Sequence, residues 1–65
     1  MPKKYKGEGR GHGMAAVAAA LDDAWQKAKD GGSGDKKLRV DVEEWYVRGE
    51  NPINWSSIVL IDDDA

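Results

Sequence analysis

The sequence predicts an α+β fold of β-α-β-β order, a three-stranded antiparallel sheet packed on one helix. Three observations carry this. Glycine recurs at positions 7, 9, 11 and 13, the two-residue period of a strand. Apolar residues then recur at steps of three and four from Met14 to Lys29, and beyond a glycine-rich loop two runs return to β-branched and aromatic composition.

In the first element, residues 3–12, the glycines would leave one strand face bare, so that a helix or another backbone can approach closely. The competing reading is a mobile glycine-rich arm, since glycine is a weak strand former. The helix follows, with Met14, Val17, Leu21, Ala24, Trp25 and Ala28 on its apolar stripe, which makes Trp25 a core residue. Asp22, Asp23, Gln26 and Lys27 lie towards the opposite side, and Lys27 and Lys29 suit the negative end of the helix dipole. Gly31-Gly32-Ser33-Gly34 ends the helix with a left-handed cap, and a polar loop from Asp30 to Lys37 leads into the sheet.

The second strand, Leu38 to Arg48, alternates Leu38, Val40 and Val42 with Arg39, Asp41 and Glu43. The pattern slips after Glu43-Glu44. Either a bulge returns Trp45 and Val47 to the first face, or both faces become apolar. Gly49-Glu50-Asn51-Pro52 reads as a turn. In the last strand, Ile53 to Ile61, Trp55, Ser57, Val59 and Ile61 share one face, and Ser56, Ile58 and Leu60 the other. Asp62-Asp63-Asp64 reads as a solvated acidic tail that blocks further strand pairing. Residues 1–65 form one domain, with 1–4 and 62–65 expected as flexible tails.

A 65-residue domain buries only about 60% of the surface its unfolded chain exposes, so it needs a staple. There is no cysteine and only one histidine, which leaves oligomerisation rather than disulfides or a structural metal. The longest apolar stretch, Met14 to Leu21, is short and mostly alanine, so the expectation is a soluble, cytoplasmic protein with no membrane contact. Lys3, Lys4, Lys6 and Arg10 against Glu8 give residues 1–13 a net charge of +3, which leaves −5 for the rest. An acidic body with one short basic arm argues against a nucleic-acid partner, which needs a concentrated basic face.

Tyr5-Lys6 opening the first strand, an alanine-rich helix and Leu38-Arg39-Val40-Asp41-Val42-Glu43-Glu44 opening the second together resemble the dodecin family across most of the chain. The resemblance implies a curved sheet wrapped round one helix and a hollow homododecamer that stores flavins such as FMN or riboflavin. In that family the flavin ring stacks on tryptophan and a glutamine holds its edge. This chain has Val40 where that tryptophan usually stands, and Ser56 or Ser57 roughly where the glutamine would fall.

The residues themselves nominate Trp45, Tyr46, Trp55 and Ser57 for a small aromatic ligand, because an indole offers a large flat face at little rotamer cost. Trp45 and Trp55 would meet across the hairpin. As packing alone, the same aromatics with Val47, Val59 and Ile61 would form an oligomer interface, Trp45, Val47, Trp55, Val59 and Ile61. Arg10, Gly11, His12 and Gly13 could cradle an anion at the start of the helix, although the spacing is a plain GxGxGxG. No nucleophile motif accompanies His12, and adjacent Glu43 and Glu44 point apart, so no enzyme activity is expected. No metal site is expected either, since Asp62 to Asp64 lack a turn glycine and a bidentate partner. The expectation is a non-catalytic, dodecin-like oligomer that binds and stores a flavin; the alternative is a ligand-free module that self-assembles through its sheet.

Overall fold

The structure, a computed structural model, describes residues 2–46 and 54–64. Its elements are β1 (Lys3–Gly11), α1 (Ala15–Asp30), β2 (Arg39–Tyr46) and β3 (Asn54–Asp62). They form the expected β-α-β-β order with a three-stranded antiparallel sheet, in which β3 lies between β1 and β2. β1 and β2 therefore run parallel to each other on the two edges. Residues 3–11 form a strand rather than an arm.

The glycine stripe is the seat of the helix. A Cβ on Gly9 would lie 2.6 Å from the Ala19 Cβ and 2.7 Å from the Ala16 carbonyl oxygen, and one on Gly11 would lie 2.7 Å from the Ala15 Cβ. The helix answers with a row at i, i+4: Ala16, Ala20, Ala24 and Ala28 are fully buried. Small residues on both sides bring the two backbones into van der Waals contact.

This corrects the helix stripe read from the sequence. Met14 is 65% exposed and Leu21 39%, and Trp25 is only half-buried at the margin of the core. The close seat admits only methyl groups, so the larger apolar side chains are turned to the flank. Met14 is the N-cap residue and carries no side-chain cap, while at the other end Gly32 takes φ +88°. There Gly32 N–H donates to the Lys29 carbonyl at 3.2 Å and Ser33 N–H to that of Ala28 at 2.9 Å, the paired bonds of a Schellman end.

Register assigns the faces of the sheet, since directly opposed residues share one. Tyr5, Gly7, Gly9 and Gly11 oppose Leu60, Ile58, Ser56 and Asn54, and this face meets the helix. On β2, Val40 opposes Leu60, Val42 opposes Ile58 and Trp45 opposes Ser56. A bulge between Val42 and Glu44 makes this possible, and so returns Trp45 to the face of Val40 and Val42. Val47, the turn residues Gly49 to Pro52 and Ile53 lie outside the described residues.

Of the three aspartates expected in a solvated tail, Asp63 and Asp64 are exposed but Asp62 is not. Asp62 is the last residue of β3 and is buried; it accepts hydrogen bonds from Ser33 Oγ at 2.8 Å and from the Asp64 N–H at 3.2 Å. The Tyr5 hydroxyl lies 2.8 Å from Ser33 Oγ, which links β1, the loop and β3. Asp63 forms a two-pronged pair with Arg39, at 3.1 Å to Nε and 3.2 Å to Nη2. Because β3 is central and paired on both sides, Asp62 belongs to a buried network and guards no free edge, while the Asp63–Arg39 pair lies at the surface. Lys3 and Lys4, expected in a tail, belong to β1.

Candidate functional site

α1 packs over β1 and β3 and leaves β2 beside it uncovered. The glycine stripe draws the helix to one side of the sheet, and the helix-facing side of β2 is left without a lid. Val40, Val42 and Trp45 are exposed there. Between this strand and the helix flank lies a groove of about 490 Å³, lined by Ala18, Leu21, Trp25, Leu38, Val40 and Leu60, with Asp22 and Lys36 as its charged members. Its size and mostly apolar lining fall in the range of small-molecule sites.

Trp25 is partly buried and lines this groove, and Lys29 Nζ sits 5.8 Å from the centre of its ring. That is within cation-π range and steadies the indole from one side. Sequence reasoning assigned Trp25 and Leu21 to the core and so missed this wall. The signal that would have found it is the match between four alternate glycines and an unbroken i, i+4 alanine row, which leaves no room beneath the helix for an indole.

The residues nominated from the sequence do not form one site. Tyr46, not Trp45, opposes Trp55, and their rings stack with centroids 5.7 Å apart and planes 18° apart. Trp45 is on the other face of the sheet, because successive strand residues alternate. The Tyr46–Trp55 pair stabilises the hairpin by about 0.5–1.5 kcal/mol beyond area burial. It also occupies one face of the indole that a ligand was expected to use. Tyr46 OH donates to Glu44 Oε2 at 3.0 Å, and this bond to a carboxylate holds the phenol above its ordinary pKa.

Ser57, on the same outer face, is buried, and its hydroxyl has no hydrogen-bond partner among the described residues. Val59 and Ile61 share that face and are already 8% and 5% exposed in a single chain. Each is flanked in register by at least one long side chain: Val59 by Lys6, with the short Asp41 on its other side, and Ile61 by Lys4 and Arg39. Long stems of this kind cover apolar neighbours while their charged ends stay wet. The interface expected of Trp45, Trp55, Val59 and Ile61 is thus divided between two faces, and its two aliphatic members have little surface left to bury.

The expected anion cradle is divided as well. Arg10 opposes Trp55 on the outer face, whereas Gly11 faces the helix. The His12 carbonyl accepts the Ala15 N–H at 3.1 Å, and Gly13, at φ +59°, accepts from Asn54 Nδ2 at 3.3 Å. Among the described residues no three His, Asp or Glu side chains converge on a metal position. Among the described residues no helix is long and apolar enough to cross a membrane.

At the outer edge of β1 the helix reaches across. Asp23 Oδ2 accepts the Glu8 N–H at 3.0 Å, and Lys27 Nζ donates to the Lys6 carbonyl at 2.8 Å while lying 3.4 Å from Asp23. The bond from Glu8 is the main reason the Asp23 carboxyl titrates below its ordinary value, with Lys27 adding to it. A carboxyl depressed in the folded state stabilises above its unfolded pKa and loses that contribution as pH falls through the folded one. The Glu8 amide-proton shift is therefore expected to move in a titration centred below the usual aspartate range, and to stop doing so in Asp23→Asn; a shift independent of pH would disprove the contact.

No family model matches the chain, and no curated protein or solved structure matches it at a significant level.

Proposed function

We propose that this protein is a non-catalytic subunit of a homo-oligomer that binds and stores a small flat aromatic ligand of the flavin class, FMN or riboflavin. The observation that supports this best is the groove of about 490 Å³ between α1 and β2, with Trp25 in its wall and Lys36 among its lining residues. An indole stacks on a conjugated ring, the aliphatic walls exclude water, and an ammonium would suit the phosphate of FMN. The ligand place therefore moves from the hairpin aromatics to the helix flank. In this reading the dodecin resemblance concerns the arrangement of elements and the ligand class, with Val40 as part of the groove instead of a stacking residue.

Titration of riboflavin and FMN with the purified protein is expected to quench flavin fluorescence, and Trp25→Ala is expected to weaken binding by about tenfold or more, the loss of one stacking partner. Unchanged emission at excess protein would remove the flavin part.

A second reading has its own support. Val40, Val42 and Trp45 form an exposed apolar row along an edge strand, which suits a ligand-free module that self-assembles. Its mark would be a stable oligomer that quenches no flavin.

A further inference from the structure

The sheet has two edges, and only one of them is guarded. Along β1, the Glu8 N–H and the Lys6 carbonyl are taken by Asp23 and Lys27, so an incoming strand would find those groups occupied. Along β2, all eight residues are exposed, and among the described residues no side chain caps the stretch from Arg39 to Val42.

That stretch, with the residue before it, is its own complement. Leu38-Arg39-Val40-Asp41-Val42 runs apolar, basic, apolar, acidic, apolar. Laid antiparallel on a second copy about a two-fold axis through Val40, it sets Val40 against Val40, Arg39 against Asp41 twice and Leu38 against Val42 twice. Every opposed pair is then apolar with apolar or of opposite charge, which is what cross-strand pairing favours. Shifting the axis to Asp41 would set Asp41 against Asp41, and shifting it to Val42 would set Asp41 against Glu43. Both place like charges opposite each other. Arg39 holds Asp63 through Nε and Nη2, which leaves Nη1 for the second carboxylate.

We propose that β2 is the docking strand for a second copy of this chain, joined antiparallel with Val40 on the two-fold axis. The two sheets become one continuous sheet with both helices on the same side. Val40 and Val42, 53% and 47% exposed in the single chain, are covered by their counterparts, and the two grooves lie side by side over the joined strands. The interface is isologous, so it closes at two copies and leaves other surfaces to extend the assembly. This proposal rests on the self-assembly part of the preceding reading and names its surface.

The chain has no cysteine, so Val40→Cys offers a background-free test at an exposed position. Opposed residues of an antiparallel pair hold their Cβ atoms about 4.5–5.5 Å apart. Under mild oxidation Val40→Cys is expected to form a covalent dimer on the order of tenfold or more faster than Lys4→Cys on the guarded edge, because docking raises the effective thiol concentration. In sedimentation runs Asp41→Arg is expected to halve the mass or reduce it further with the far-UV spectrum unchanged, and Arg39→Asp with Asp41→Arg to restore it. A wild-type oligomer in which Val40→Cys cross-links no faster than Lys4→Cys and Asp41→Arg keeps its full mass would overturn the β2 interface and leave self-assembly standing. A wild-type monomer at all concentrations would overturn both.

Discussion

Gly7→Ala is expected to be the most damaging single methyl group in this protein. A Cβ there would lie 2.8 Å from the Ala24 Cα and closer still to the Ala24 nitrogen and the Ala20 carbonyl oxygen. All three are helix backbone, so no side chain can rotate away. The helix must lift, and lifting it exposes the alanine row. Such overpacking is expected to cost about 3 kcal/mol or more, at the upper end for inserted methylenes. A core of this size supplies roughly 3–5 kcal/mol in total, so the variant is expected to be largely unfolded at 25 °C. Circular dichroism melts would show it. Gly13→Ala is the control, because nothing lies within 4 Å of its Cβ position and φ is +59°. It carries only the left-handed backbone penalty, about 1–2 kcal/mol. If Gly7→Ala melts at or above Gly13→Ala, the close seat of the helix is wrong.

Ile58→Ala is expected to be the second largest loss. Ile58 has the largest side chain among the fully buried residues and occupies the centre of β3, with Gly7 on one side and Val42 on the other. Neither neighbour can fill the space, since Gly7 has no side chain and Val42 is half in solvent. Truncations of this kind cost about 2–5 kcal/mol, and a site that cannot collapse falls toward the upper figure. Urea titration is the measurement, with an unchanged slope and a lower midpoint. A midpoint shift equivalent to less than about 1 kcal/mol would mean that the centre of the sheet is not the core.

Much of the fold was legible because its signals are local. The glycine period marks β1 and its bare face, the alanine-rich run marks α1, and the Gly31-Gly32 pair ends the helix as expected. The slip after Glu43-Glu44 indicated a bulge or a two-sided strand, and pairing with β3 decided for the bulge. The candidate site was far less legible. Its groove exists because the helix is displaced towards β1, and that displacement depends on contacts between residues far apart in sequence, such as Gly7 with Ala20 and Ala24. Helical periodicity puts Trp25 on an apolar stripe but does not show what lies opposite. Trp45 and Trp55 were paired on composition, whereas register gave Trp55 to Tyr46. A run of three aspartates reads as solvated, whereas the burial of Asp62 beside Ser33 comes from its place in the central strand.

By itself the sequence determined the order of the elements and the helix with its glycine end, since strand and helix periods and a left-handed glycine are properties of neighbouring residues. Packing turned the alanine row, and not the larger apolar side chains of the helix, towards Gly7, Gly9 and Gly11. Only the tertiary structure decided that β3 is central, that the helix lies over β1 and β3, and that β2 is left with an uncovered apolar side and a free edge. Those outcomes depend on pairing, register and the distance of closest approach between backbones, which are relations among segments and are written in no single one of them.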